Sequence, residues 1–141
     1  MALRFDKVVR VVAPGVRRMY SLVLTADGLY LIQTGPGGAV KHYRRDEQGQ
    51  VVARSDDRGV REVQAREGQI DPTALDEWVK LKDNYCIRLE AIEDVELKPG
   101  KTEPEMWIGV TGSEHHLFFP FATADEVEVL QRALSKWLMP R

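Results

Sequence analysis

The residues best equipped for chemistry are three histidines, one cysteine and scattered carboxylates. His115-His116 invites metal or acid–base chemistry, because imidazole titrates near neutrality and is the commonest transition-metal ligand. Adjacent residues of a strand point to opposite faces, so this pair cannot readily chelate one ion. His42 is distant in sequence, and one packed and one exposed imidazole is the expectation. Cys86 lies in an apolar run without a basic neighbour, which reads as a small buried residue and not a nucleophile. Ser21, Ser55, Ser113 and Ser135 stand outside any nucleophile-elbow pattern. Glu90, Glu93, Asp94 and Glu96 could pair as carboxylates do in glycoside or metal chemistry, yet acids alternating along a strand describe its wet face. Gly35-Pro36-Gly37-Gly38 lacks the Lys-Ser/Thr ending of a phosphate loop and reads as a linker. No catalytic residue, metal or cofactor is expected.

Composition narrows the classes further. The chain has 141 residues, 43% hydrophobic and 30% charged, which suits one domain with a real core. Its net charge of −2 gives no general attraction to nucleic acid or an acidic membrane. Residues 1–68 carry 12 Lys and Arg against 8 Asp and Glu, and residues 69–141 carry 8 against 14, so the halves differ in sign. Trp107, Phe118, Phe119, Phe121 and Trp137 belong to the acidic half and are expected in the core, which argues against a stacking platform for nucleic acid. A single cysteine excludes an internal disulfide framework. No stretch approaches the roughly 20 apolar residues of a membrane span, and the N-terminus has no signal-peptide core, so a cytosolic protein, at most peripheral to a membrane, is expected.

Elements must position whatever this chain holds. Lys7–Ala13 is β-branched and bounded by Pro14-Gly15, and Met19–Thr25 and Leu29–Gln33 follow as a hairpin turning at Ala26-Asp27-Gly28, where Asp-Gly tolerates positive φ. From about 34 to 68 the chain turns to glycine and mixed charge and is expected to bury too little to anchor a core. Within it, Ala39–Arg44 and Gln50–Arg54 could pair around Asp46–Gly49, Val60–Gln64 could add a strand, and 55–70 reads as a mobile insertion. Asp71 is placed to cap a short helix with Pro72 in its first turn, ending near Asp83-Asn84. Tyr85–Leu89 and Ile92–Lys98 are strands, the second stopped by Pro99-Gly100, with 101–105 as a loop. Met106–Thr111 alternates as a half-buried strand, Thr111–Glu114 turns, and His115–Phe121 returns as an aromatic strand. Thr123-Ala-Asp-Glu126 is a capping box. The helix it starts carries Val127, Leu130, Leu134, Trp137 and Leu138 on one stripe beside Ala133. About seven short antiparallel strands and a terminal helix imply a mainly β, α+β fold. In it the sheet is wrapped as a sandwich or partial barrel, and the helical stripe plugs one end.

Three segments carry a resemblance. Val23-Leu24-Thr25-Ala26-Asp27-Gly28-Leu29-Tyr30-Leu31-Ile32 resembles the first hairpin of pleckstrin-homology-like domains, bacterial PH-like and GRAM-like ones especially. Ile87–Leu97 is similar to that family's strand, short turn and next strand, and Ile108–Leu138 to its last hairpin and helix. The resemblance implies a single PH-like domain over 1–141, an antiparallel barrel or sandwich capped by the helix, with residues 34–83 inserted in its middle. Phosphoinositide binders of the family carry Lys and Arg on the first hairpin, whereas here no basic residue lies between Met19 and Gln33. The nearest substitutes are Arg17 and Arg18 before the hairpin and Lys41, Arg44 and Arg45 beyond it. They form an anionic-ligand patch if their loops converge, and a solvated basic face if they do not.

The expected function is a non-enzymatic binding module for a protein partner or a second copy of itself. Peripheral binding of an anionic lipid or phosphorylated ligand through the basic patch is the alternative.

Overall fold

The computed structural model describes residues 2–98 and 103–138; the expected stop at Pro99-Gly100 and the start of the loop after it lie outside them. Seven antiparallel strands form one sheet. They are β1 (Leu3–Ala13), β2 (Val16–Leu24), β3 (Gly28–Pro36), β6 (Tyr85–Arg88), β7 (Ile92–Lys98), β8 (Glu105–Val110) and β9 (Ser113–Phe118), in the spatial order β6-β3-β2-β1-β9-β8-β7. β4 (Tyr43–Arg45) and β5 (Val51–Ala53) make a separate hairpin, as the sequence suggested, while the residues before it, Gly37–His42, form a 3-10 turn and not a strand. Strands β6 and β7 are the two edges of the main sheet, yet only the turn Leu89–Ala91 separates them in the chain. Four residue steps span at most about 14 Å. The sheet must therefore curl until its edges approach at that corner, and it does so without pairing them: it is not closed into a barrel.

The concave face holds the main core, including Val8, Leu22, Leu31, Val95, Met106, Ile108 and Leu117. Helix α3 (Ala124–Ala133) starts where the sequence placed it. The Thr123 hydroxyl accepts from the Glu126 N–H at 3.2 Å and the Glu126 carboxylate accepts from the Thr123 N–H at 2.9 Å. Leu130 and Leu134 are fully buried in the concave core, with Val127, Trp137 and Leu138 packed beside them. Ala133, expected next to that stripe, faces water. The helix ends before Trp137; the chain then runs along the β7 edge, where the Val95 N–H donates to the Trp137 carbonyl at 2.8 Å.

The region expected as an insertion, residues 34–83, departs most from expectation. Residues 55–70 are neither strand nor mobile loop: α1 (Arg58–Gln69) is a helix capped by Asp57, whose carboxylate accepts from the Val60 N–H at 2.9 Å. Val60 and Val63 pack with Met19, Ala39 and Tyr43, and Ile70 and Leu75 pack with Val23, Tyr30 and Ile32. Residues 39–75 thus cover the convex face of β2 and β3, whose near-continuous apolar runs are buried on both sides. Lys7 sits at φ 58° in a bulge of β1 and pairs with Glu67 of α1 at 3.0 Å, and Arg4 donates to the Glu67 carbonyl at 2.7 Å. The second helix, α2 (Leu75–Trp78), is shorter than predicted and begins after Ala74; Asp71 instead closes a local turn on Thr73. Cys86, expected to be buried, is half-buried beside that second cluster.

Two glycines explain close approaches. A Cβ at Gly35 would lie 2.6 Å from a Val63 methyl, so the glycine lets α1 sit on β3. At Gly28 a Cβ would lie 2.6 Å from the Ile87 carbonyl oxygen. The Asp27-Gly28 hairpin therefore needs glycine for its fit against β6, and not for a positive φ, which neither residue adopts.

Candidate functional site

Arginine interrupts the β-branched run of β1, and the strand's periodicity decides where it points. Val8 faces the concave core, so Arg10, two residues on, faces the same way. Directly opposed residues of antiparallel strands share a face. The register sets Val8 against Tyr20 and Arg10 against Arg18, which puts Tyr20, Arg10 and Arg18 on the concave face, running toward the Pro14-Gly15 turn. Gln33 lies opposite Tyr20 on β3, Tyr85 begins β6, and His115 reaches in from β9 close to the Thr111-Gly112 turn. These side chains line the part of the curled sheet that runs toward the Pro14-Gly15 and Thr111-Gly112 turns, and they make it polar.

Arg10 is 8% exposed. Its Nη2 donates to His115 Nδ1 at 3.2 Å and its Nη1 to the Tyr20 hydroxyl at 3.4 Å; the hydroxyl in turn donates to the Asp83 carbonyl at 2.8 Å. The guanidinium lies 4.3 Å from the centroid of the Tyr85 ring and 5.4 Å from that of Tyr20. Since arginine only donates, His115 Nδ1 must accept, which leaves the imidazole proton on Nε2. Burial, reinforced by the neighbouring cation, pushes His115 down to about 4, so the ring is neutral at physiological pH. Burial pushes the Tyr20 hydroxyl up, with Arg10 opposing.

The cluster is thus a buried permanent charge among neutral partners. Among the described residues no ion pair joins Arg10 or Arg18 to a carboxylate, and Arg10 Nε is buried without a hydrogen-bond partner. Buried charges are ordinarily paired, because desolvation costs several kcal/mol that only a counter-charge recovers well. Two tyrosine faces offset part of this, at about 0.5–2 kcal/mol each. Arg18, exposed on the same face, adds a like charge across the strand pair. What the arrangement can do chemically is accept an anion.

The cations singled out in the sequence are only partly gathered. Arg17 and Arg18 line one groove of about 440 Å³ with Gly15, Val16 and Pro36–Gly38. Arg17 points to the convex face, 4.6 Å over the Phe118 ring. Arg45 lies in a different cleft of about 360 Å³ with Arg4, Lys7 and Glu126, and donates to the carbonyls of Gly49 and Phe121. Lys41, in the 3-10 turn, and Arg44, on β4, are exposed and line neither. Arg10 was not singled out, although its two-residue spacing from an inward Val8 was there to be read.

The histidines do face opposite ways. His116 is on the convex face, 3.1 Å from Glu105 and stacked on Trp107 with centroids 4.4 Å apart. Lys98 over Trp107, then His116, Phe118 and Arg17 continue that stack across the strands. Trp107, Phe118, Phe121 and Trp137, expected in the core, are only half-buried; Phe119 alone of that set is buried. Among the described residues no three His, Cys, Asp or Glu side chains gather as metal ligands, and no helix is long and apolar enough to cross a membrane.

Compared with models of protein families, with curated proteins and with solved structures, the chain finds no match.

Proposed function

We propose that this chain is a non-enzymatic binding module, a pleckstrin-homology-like domain that takes up a phosphate-bearing anionic group at the basic end of its curled sheet. The observation that carries the reading is the cross-strand pair Arg10 and Arg18, two guanidiniums on one face without a carboxylate among the described residues. An open, curled antiparallel sheet with a helix filling its concave face supports the reading. Arg17 and the glycine-bordered groove extend the basic surface to the outside.

Flotation with vesicles containing anionic phospholipid, beside titration with a soluble inositol phosphate, separates a membrane headgroup from a free ligand. Binding is expected in at least one arm, to weaken with salt, and to fall by roughly tenfold or more in Arg18→Glu, an exposed position that leaves the fold intact. Binding in neither arm, or equal binding by the variant, overturns the reading.

A second reading has its own support. Residues 39–75 cover the convex face over β2 and β3, but the convex face of β7, β8 and β9 keeps Trp107, His116 and Phe118 half-exposed, with Val12 and Val16 exposed at the adjoining β1–β2 end. Such a patch suits a protein partner or a second copy of the chain. Light scattering behind size-exclusion chromatography tests the second copy: self-association that Trp107→Ala abolishes supports it, and a strict monomer across concentrations removes it.

A further inference from the structure

A separate polar cleft of about 210 Å³ opens between β3, α1 and the turn leading into β6, lined by Gln33, Thr34, Glu62, Arg66, Lys82 and Asn84, with Leu81 at its margin. We propose that this cleft is a binding site for a small oxyanion of the phosphate or carboxylate class. Gln33 borders both this cleft and the Arg10 cluster, but the cations here, Arg66 and Lys82, take no part in that cluster, and nothing in the binding-module reading requires the cleft.

Three observations support the assignment. Thr34, a residue of the cleft lining, is 1% exposed, and its hydroxyl is buried without a hydrogen-bond partner. A buried hydroxyl left unsatisfied is costly, so a group that completes it is favoured. Arg66 and Lys82 bring two cations to the cleft, and neither is in an ion pair among the described residues. The Asn84 side chain is already spent, accepting from the Gln33 N–H at 2.7 Å and donating to the Trp78 carbonyl at 2.8 Å, and it holds the wall rigid. Donors therefore dominate, with Glu62 the one carboxylate on the lining. The volume lies below the roughly 300–1,000 Å³ of sites for drug-sized ligands, which restricts the occupant to a small ion.

The test is an amide-resolved NMR titration of the whole chain with inorganic phosphate at constant ionic strength, repeated with succinate to separate the two anion classes. Saturable shifts at Thr34 and Asn84 are expected, with a dissociation constant on the order of a millimolar or tighter. The double variant Arg66→Ala/Lys82→Ala should weaken binding by roughly tenfold or more. Thr34→Val keeps the shape of the side chain and removes only the hydroxyl, so the fold survives and binding falls several-fold. Arg18→Glu, aimed at the other site, should leave these shifts unchanged. Shifts that follow ionic strength alone, that never saturate, or that persist in the double variant overturn the proposal, and the cleft is then merely wet.

Discussion

His115 shows how one buried contact becomes a property of the whole fold. Its ordinary value is 6.5, and burial beside Arg10 lowers it to about 4 in the folded chain. As pH falls through 6.5 the unfolded chain takes up a proton that the folded chain refuses until about 4. The stabilising difference is complete above the upper value and lost progressively across that window, by about 3 kcal/mol in all, since one unit corresponds to about 1.4. Glu67 acts in the opposite sense: burial raises it, with Lys7 opposing, so the folded chain binds its proton more readily than the unfolded one as pH falls. A single substitution isolates the histidine. His115→Gln keeps an acceptor for Arg10 and cannot protonate. Urea midpoints measured at pH 7.5 and 4.5 should therefore fall much less in the variant than in the parent. Equal losses would show that His115 titrates normally and that its burial beside Arg10 has no energetic weight.

At the scale of elements, what could be read depended on how many residues carry each signal. Alternation along Met106–Thr111 and the Thr123–Glu126 capping box are dense local patterns, and β8 and the start of α3 stand where they predicted, whereas the strand expected over His115–Phe121 runs over Ser113–Phe118, after a turn at Thr111-Gly112. Leu134 at the end of that helix is fully buried, and Leu134→Ala should cost about 2–5 kcal/mol in chemical denaturation. Helix α1 was hidden because its packed face is thin, consisting of Val60 and Val63, both β-branched, beside Gly59. The clue lay elsewhere: Met19, Val23, Tyr30 and Ile32 are apolar at the positions opposite to Leu22 and Leu31, so β2 and β3 demand cover on both faces. Only residues 39–75 are available to give it. Gly35→Ala drives a methyl into Val63 and should destabilise by about 1–3 kcal/mol. Adding Val63→Ala makes room, so the double variant should lose less than the sum of the two single losses. Strict additivity would mean that α1 does not rest on β3 at that point. The basic end was less legible, since Arg10 is a lone charge whose meaning comes only from the partner strand's register.

Across the whole molecule the sheet is two units with a narrow join. β1 meets β9 only through Val9 with Phe118 and Arg10 with Leu117, whereas β1–β2 and β2–β3 pair along most of their length. One unit, β6-β3-β2-β1, is buttressed on its convex side by residues 39–75; the other, β7-β8-β9, has no helix of the described residues on that side and relies on α3 and the concave core. Hydrogen bonds at a join this short resist local opening weakly, and the buried charge of Arg10 lies within it. Proteins open in cooperative units whose free energies range up to that of global unfolding, and the least buttressed unit opens first. Native-state hydrogen exchange in rising denaturant should therefore resolve two groups, with amides of β8 and β9 merging at lower free energy than those of β2 and β3. An anion bound between Arg10 and Arg18 would neutralise the positive charge at the join. The gap between the groups should then narrow when the soluble inositol phosphate is present and stay unchanged in Arg18→Glu. A single isotherm for all strands would mean that the concave core, and not the pairing of β1 with β9, sets the cooperative unit.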